Sequence, residues 1–388
     1  MIKVKLSVGV IFGGKTVEHE ASILTAIQAM EHIDKEVYEV IPIYVTKDLE
    51  WYSGGCLKFI DTFKDFDLIK RYAKKVILVN KNGRYVLQKA KGIKSEICEL
   101  HLAFPIVHGA NMEDGSIQGY LNLIGIPYVG SSIYSSVLAQ DKVFTKQVLQ
   151  SNAIPVTKFV WFGERFYRNK KEELFKQIDE LKYPLIIKPA TLGGSVGVEI
   201  ITQKEEIDST IERAFKYDTK VVIEEKIENL VEYNCAVLLT PNGNITSEIE
   251  EIKKSKDILE YGDKFLVGDA LKESSLTRTC PVELPEKLKK EIETYSLAVF
   301  KMLNMRGTAR IDFLYDTKNK KLYVDEINSI PWCFAHHLWE AKNISYQELL
   351  NVILKDAVAV EVKHQKMTLT IQSDIIKNTT NAKLKEMK

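Results

Sequence analysis

The chain has 388 residues, 45% of them hydrophobic and 28% charged, with a formal net charge of +1. One core rarely grows past about 250 to 300 residues, so about two to three well-cored, soluble domains are expected. Near-neutrality excludes the global basic or acidic field that argues for nucleic acid or a membrane surface, so local charge must carry any phosphate binding. The cysteines, Cys56, Cys98, Cys235, Cys280 and Cys333, are odd in number and scattered. That pattern points to reduced thiols of a cytoplasmic protein and against a disulfide framework or zinc site. The apolar start, residues 4–12, lacks the charged flank and cleavage site of a signal peptide. No run nears the roughly 18 apolar residues of a membrane span.

Residues 7–14, Ser-Val-Gly-Val-Ile-Phe-Gly-Gly, followed by 18–32, read as strand, tight glycine turn and helix. Strands over 37–45, 75–79 and 102–107 continue an open parallel α/β sheet, whose ligands sit beyond the carboxyl ends of its strands. Gly9-x-x-x-x-Gly14-Lys15-Thr16 satisfies the P-loop expression, but Val10, Ile11 and Phe12 continue the strand where a phosphate-cradling arc should be. His108 falls at a strand tip, before the loop 110–115 and a helix over 116–123. The segment 126–132 marks a domain boundary.

A second unit begins with a helix around 141–150 and continues through 154–161 and a charged helix over 170–181. Tyr183-Pro184-Leu185-Ile186-Ile187-Lys188-Pro189 is a buried strand ending in lysine, and residues 190–197 form a glycine-rich loop leading into a strand at 198–201. Glycines let backbone N–H groups crowd phosphate oxygens, and Lys188 adds a point charge. The strand-loop-strand order predicts a flap over a nucleotide. Residues 221–227 form an apolar strand that turns acidic, with Glu232 just beyond. Strands at 233–239 and 245–252, a variable loop at 256–279 and a helix over 285–303 follow. Helices near 337–341 and 346–360 precede a polar tail.

Between them lies a β-hairpin, with strands 309–315 and 322–327 around the polar turn 316–321. Period-2 geometry puts Arg310 and Asp312 on one face of the first strand, and Glu326 and Asn328 on one face of the second, each pair roughly 6.6 Å apart. If the faces coincide they make an oxygen cluster beside a fixed cation, which selects Mg²⁺ or Mn²⁺ over zinc or copper. The alternative is a solvated hairpin with ordinary surface charges.

Taken together, these segments resemble the D-alanine:D-alanine ligase family of the ATP-grasp superfamily. The resemblance rests on Phe12-Gly13-Gly14 with Glu18-His19-Glu20-Ala21-Ser22, His108-Gly109 with residues 113–119, residues 125–131, Asp141-Lys142, Lys188-Pro189 with 193–197, Arg310-Ile311-Asp312 and Glu326-Ile327-Asn328. It implies a three-domain ATP-grasp fold: an N-terminal α/β substrate domain (1–130), a central lid (131–226), a catalytic domain (227–362) and a tail (363–388). It further implies a ligase that makes a D-alanyl-D-alanine-type dipeptide through an acyl phosphate for peptidoglycan, working as a homodimer on small amino acids. Lys142 and Lys188 would contact the phosphates of ATP, and the loop of Gly193, Gly194 and Ser195 would cover them. Glu224, Glu225 and Ile227 would meet adenine and Glu232 the ribose. Asp312, Glu326 and Asn328 would hold two Mg²⁺ or Mn²⁺, Glu18 and His108 would orient the first amino acid, and Arg310 would stabilise the oxyanion. Lys264 would lie near the second substrate's carboxylate, with Trp332, His337 and Leu338 around that substrate.

The chain departs from the family where specificity should reside. Gly194 stands in place of the first loop serine and Phe265 in place of the tyrosine, the two hydroxyls that complete a triad with Glu18 in the family, while Trp332 stands in place of glycine and His337 in place of serine. These departures are read either as drift within a D-Ala:D-Ala ligase or as an altered second substrate: another amino acid, a hydroxy acid or an amine. A nucleotide-binding module without chemistry is a third reading, and Arg310 argues against it because binding alone needs no oxyanion cation.

Overall fold

The computed structural model describes residues 5–92, 95–254, 276–364, 366–377 and 379. Lys264 and Phe265 lie outside them. The first sheet contains β1 (Leu6–Gly13), β2 (Tyr38–Val45), β3 (Trp51–Ser53), β4 (Lys74–Lys81), β5 (Arg84–Lys89), β6 (Glu96–Leu100) and β7 (Leu102–Ile106), in the order β6-β5-β4-β3-β2-β1-β7. β1 pairs in parallel with β2 and β7 and is almost wholly buried, which suits its near-continuous Val/Ile/Phe run. Beyond β2 the sheet turns antiparallel. The expected parallel sheet is therefore three strands wide, extended by short antiparallel connections that the α/β pattern did not reveal.

Helix α1 (His19–His32) follows β1, α2 (Phe66–Tyr72) precedes β4, and α3 (Ser116–Ile124) follows β7. The first core also takes in Leu338, Trp339, Leu349, Leu350 and Leu354 from α10 (His336–Glu340) and α11 (Tyr346–His364), close to the C-terminus.

The second sheet is antiparallel, in the order β10-β9-β11-β8: β8 (Phe159–Gly163), β9 (Leu185–Pro189), β10 (Glu199–Ile201) and β11 (Lys220–Glu225). Helices α6 (Glu164–Asn169), α7 (Lys171–Ile178) and α8 (Ile207–Ala214) accompany it, with Leu174, Ile178, Ile207 and Ile211 in its core.

The third sheet runs β14-β13-β12-β15-β16: β12 (Leu230–Thr240), β13 (Gly243–Lys254), β14 (Leu276–Thr279), β15 (Thr308–Asp316) and β16 (Lys321–Asn328). Helix α9 (Glu286–Met302) packs its Leu288, Ile292 and Val299 against it. Helices α4 (Ile133–Gln140) and α5 (Lys142–Ser151) belong to this core as well, through Ala139 and Leu149.

Among the described residues no helix is long and apolar enough to cross a membrane.

Candidate active site

The β15–β16 hairpin pairs Arg310 with Asn328 and Asp312 with Glu326, so the two predicted faces coincide. Arg310 donates from Nε and Nη2 to the two carboxylate oxygens of Asp312, each at 2.7 Å. Asn328 donates from Nδ2 to Asp312 Oδ2 at 3.1 Å. Burial opposes the Arg310 charge, but Asp312 outweighs it and holds the guanidinium above its ordinary range. Burial pushes the Asp312 carboxyl up; Arg310 resists, while Glu326 and Glu250 add to the rise. Among the described residues no three His, Cys, Asp or Glu side chains form a metal cluster. Here the third donor would be an amide. Asp312, Glu326 and the Asn328 amide oxygen are all hard donors, and a divalent cation would relieve the crowding of the carboxylates.

Above the hairpin lies a cleft of about 450 Å³, walled by β9, β11 and the glycine loop on one side and the third sheet on the other. Lys142 reaches it because Asp141 caps α5, accepting from Val143 N at 2.9 Å and Phe144 N at 3.1 Å. The Lys142 ammonium donates to Leu192 O at 2.7 Å and stands 3.4 Å from Glu326 Oε1. Lys188 is the penultimate residue of β9, with its Nζ 3.3 Å from both Asp325 Oδ1 and Glu224 Oε1. Burial works against its charge, yet these carboxylates hold it above the ordinary lysine value.

Period 2 turns Glu224 and Glu225 to opposite faces of β11. Glu224, 1% exposed, lies 3.0 Å from Lys146 Nζ and accepts from Thr157 Oγ1 at 2.6 Å. The pairing of Ile186 with Glu224 and of Lys188 with Val222 puts it on the lysine face. The Glu224 side chain is thus a lysine counter-ion that also lines the cleft, since an unpaired carboxylate could not be buried there. Glu225, Ile227 and Glu232 line the cleft.

Glu18, at the start of α1, stands against both glycine segments. A Cβ on Gly193 would meet Glu18 Oε2 at 2.5 Å, and a Cβ on Gly109 (φ +78°) would meet the same oxygen at 2.5 Å. Ser195 adopts a left-handed φ of +62°, and Gly193, Gly194 and Ser195 all line the cleft. His108 is buried, with Nε2 3.1 Å from Thr25 Oγ1. Glu113 accepts from Ser329 Oγ at 3.0 Å and Ile330 N at 2.8 Å, tying the loop after β7 to the end of the hairpin.

Trp332 lines the cleft ahead of a left-handed turn, Cys333–Phe334–Ala335, with φ of +48°, +54° and +49°. L-residues resist that conformation by about 1 to 2 kcal/mol each, and burial of all three side chains in the core offsets it. His337 bonds Glu250 Oε2 through Nε2 at 3.0 Å. The Leu338 side chain is wholly buried in the core on α10 and is absent from the lining of the cleft. Asp325, Lys146, Glu113, Glu250 and Arg278 were missed in the sequence. Strict alternation sends Asp325 away from Glu326, and only the irregularity between Asp312 and Phe313 on the partner strand changes that.

The model of the D-Ala D-Ala ligase N-terminus matches residues 7–131, and that of the D-Ala D-Ala ligase C-terminus matches 148–355. A D-alanine–D-alanine ligase of Thermosipho africanus is 38% identical over 354 residues, 91% of this chain and 93% of that protein. The D-alanine-D-alanine ligase from Coxiella burnetii superposes with a TM-score of 0.79 at 27% identity, over 93% of this chain and 96% of that one. The VanG D-Ala:D-Ser ligase from Enterococcus faecalis gives 0.77 at 29% identity, over 91% and 100%. With both family models in order along one chain, and an ATP-grasp architecture beneath them, the chain belongs to the D-alanine–D-alanine ligase family.

Proposed function

We propose that the protein is an ATP-dependent ligase that joins D-alanine to a second small amino acid, D-alanine in the first instance, as a precursor of peptidoglycan. The observation that carries this is the convergence in one cleft of Arg310 with Asp312, Glu326 and Asn328, facing Lys142, Lys188 and the glycine loop. The cleft takes ATP with adenine near Glu225 and Ile227, ribose at Glu232 and phosphates at the two lysines. Asp312, Glu326 and Asn328 hold Mg²⁺ or Mn²⁺, which neutralises developing phosphate charge when bound.

A carboxylate is a poor electrophile because its own charge repels nucleophiles, so ATP first converts the donor to an acyl phosphate. Glu18 and His108 orient that donor beneath the glycine loop. Lys142 and Lys188 stabilise the transferring phosphoryl group electrostatically, and such stabilisation with positioning supplies most of the catalysis in phosphoryl transfer. An acceptor amine then attacks the acyl carbon, Arg310 and backbone N–H groups near Trp332 stabilise the oxyanion, and phosphate leaves to give the amide. Closure of the loop on Glu18 excludes water that would hydrolyse the acyl phosphate. The homodimer implied by the resemblance is part of this reading and is checked by light scattering.

The test is phosphate release from ATP and Mg²⁺ with D-alanine alone, with products identified by mass. Formation of the dipeptide supports the reading. Turnover only when D-alanine is paired with another acceptor favours the altered-acceptor reading, motivated by Trp332 and His337. Silence across amino acids, hydroxy acids and amines removes the ligase reading.

A further inference from the structure

The third sheet carries a polar row that continues past the proposed metal residues. Glu326 stands opposite Asp312, Asp312 opposite Asn234, and Asn234 opposite Glu250, so four neighbouring strands each present one polar side chain to the same face. Arg278 on β14 pairs with Ile252, two residues along from Glu250, and so shares that face. Glu250, fully buried, holds the row together at this end. It accepts from Asn234 Nδ2 at 2.8 Å on Oε1 and meets His337 Nε2 at 3.0 Å on Oε2. Arg278 Nη1 lies 3.8 Å from Glu250 Oε1, an ion pair but not a hydrogen bond.

We propose that Arg278, positioned by Glu250, receives the carboxylate of the acceptor amino acid in the ligation. This rests on the function proposed above and restricts its acceptor to an acid. Arg278 lines the cleft together with Arg310, Asp312 and Trp332. Arg310 is taken bidentately by Asp312 and is reserved for the reacting carbonyl. His337 commits Nε2 to Glu250. A guanidinium presents a planar fork that matches a carboxylate, and a partly desolvated one gains most from an anion. Burial lowers the Arg278 pKa, Glu250 offsets this only in part and nearby Arg310 adds to the fall, so an anion arriving between the two arginines is favoured. Glu250 is the ion-pair partner that orients Arg278 at 3.8 Å, and its own bonds to Asn234 and His337 hold it in place as a strut.

The experiment compares D-alanine with D-alaninamide as acceptor, with D-alanine as donor and the full-length protein. The amide has no carboxylate to be phosphorylated, so it can act only as acceptor. Wild-type enzyme is expected to prefer the acid by about 100-fold in kcat/KM, the scale of a charge-assisted hydrogen-bonded pair. Arg278→Gln should reduce that preference to within a few-fold while the KM values for ATP and donor stay within about two-fold. Glu250→Gln should raise the acceptor KM with a smaller change in kcat, a split that mere loss of fold would not give. An unchanged acid-to-amide preference in Arg278→Gln overturns the proposal. If that variant does not melt cooperatively, Arg278→Met decides: an intact preference overturns the proposal, a reduced one supports it. Failure of the underlying function looks different, since wild type would then release no phosphate with D-alanine, and the proposal would fall with it.

Discussion

Glu18 and Gly193 touch across two units of the protein: the carboxylate at the start of α1 occupies the space that any side chain at residue 193 would need. The glycine loop can therefore lie against the start of α1 as it does only because position 193 has no Cβ. Gly193→Ala is expected to lower kcat by about ten-fold, a displacement effect of the kind that loop closure controls, while the melting temperature stays close to wild type. Turnover at the wild-type rate would show that the loop does not seat on Glu18 during the reaction.

Glu224 tests the role of the lysine face. Lys146, Lys188, Glu224 and Asp325 form a quartet with no net charge. Glu224→Gln leaves two buried ammonium groups with one carboxylate, and breaking a buried pair costs about 3 to 5 kcal/mol. Urea unfolding should show a loss on that scale with little change in preference for ATP over GTP. Retained stability with altered base preference would restore Glu224 as an adenine contact.

Acid stability should report on Glu250. Burial disfavours its charge, but His337, Arg278 and Arg310 pull its pKa from 4.5 to about 2. A carboxyl depressed in the folded state stabilises the fold at pH above about 4.5, and the benefit is lost as pH falls toward about 2. The shift corresponds to about 3 kcal/mol. Unfolding followed from about pH 6 to pH 2 should therefore fall less steeply below about pH 4.5 in Glu250→Gln than in wild type. Parallel curves would rule out Glu250 as the source of the dependence.

Metal dependence follows from the oxygen-only donors. A chelator should abolish phosphate release, with Mg²⁺ or Mn²⁺ restoring it. Asp312→Asn removes the carboxylate charge and the bidentate anchor of Arg310 together, and kcat should fall about 100-fold or more. Full activity in the chelated wild type would contradict the assignment.

Lys15 should be dispensable for nucleotide binding. β1 extends unbroken from Leu6 to Gly13, so no phosphate-cradling arc exists between Gly9 and Lys15, and Lys15 is exposed. Lys15→Ala should leave the KM for ATP unchanged within about two-fold, the result expected of an exposed lysine outside the cleft. A rise of about ten-fold, the scale of a lost phosphate contact, would reopen the P-loop reading.

The sequence by itself determined the hairpin chemistry, because alternation in a strand is local: residues two apart share a face wherever the strand is placed. Arg310 with Asp312, Glu326 with Asn328, and the glycine loop after Lys188 were legible for that reason, and with them the family. Tertiary structure decided everything that depends on which strand lies beside which. Asp325 joins Lys188 because the β15–β16 pairing slips at Phe313, and Glu224 turns to the lysines because β11 pairs with β9 in one particular register. The Leu338 side chain is buried because α10 packs into a core shared with the first sheet. Glu250 and His337, 87 residues apart, meet only where α10 crosses β13. Burial, register and the pairing of distant charges arise from the packing of separate segments, and no local pattern records them.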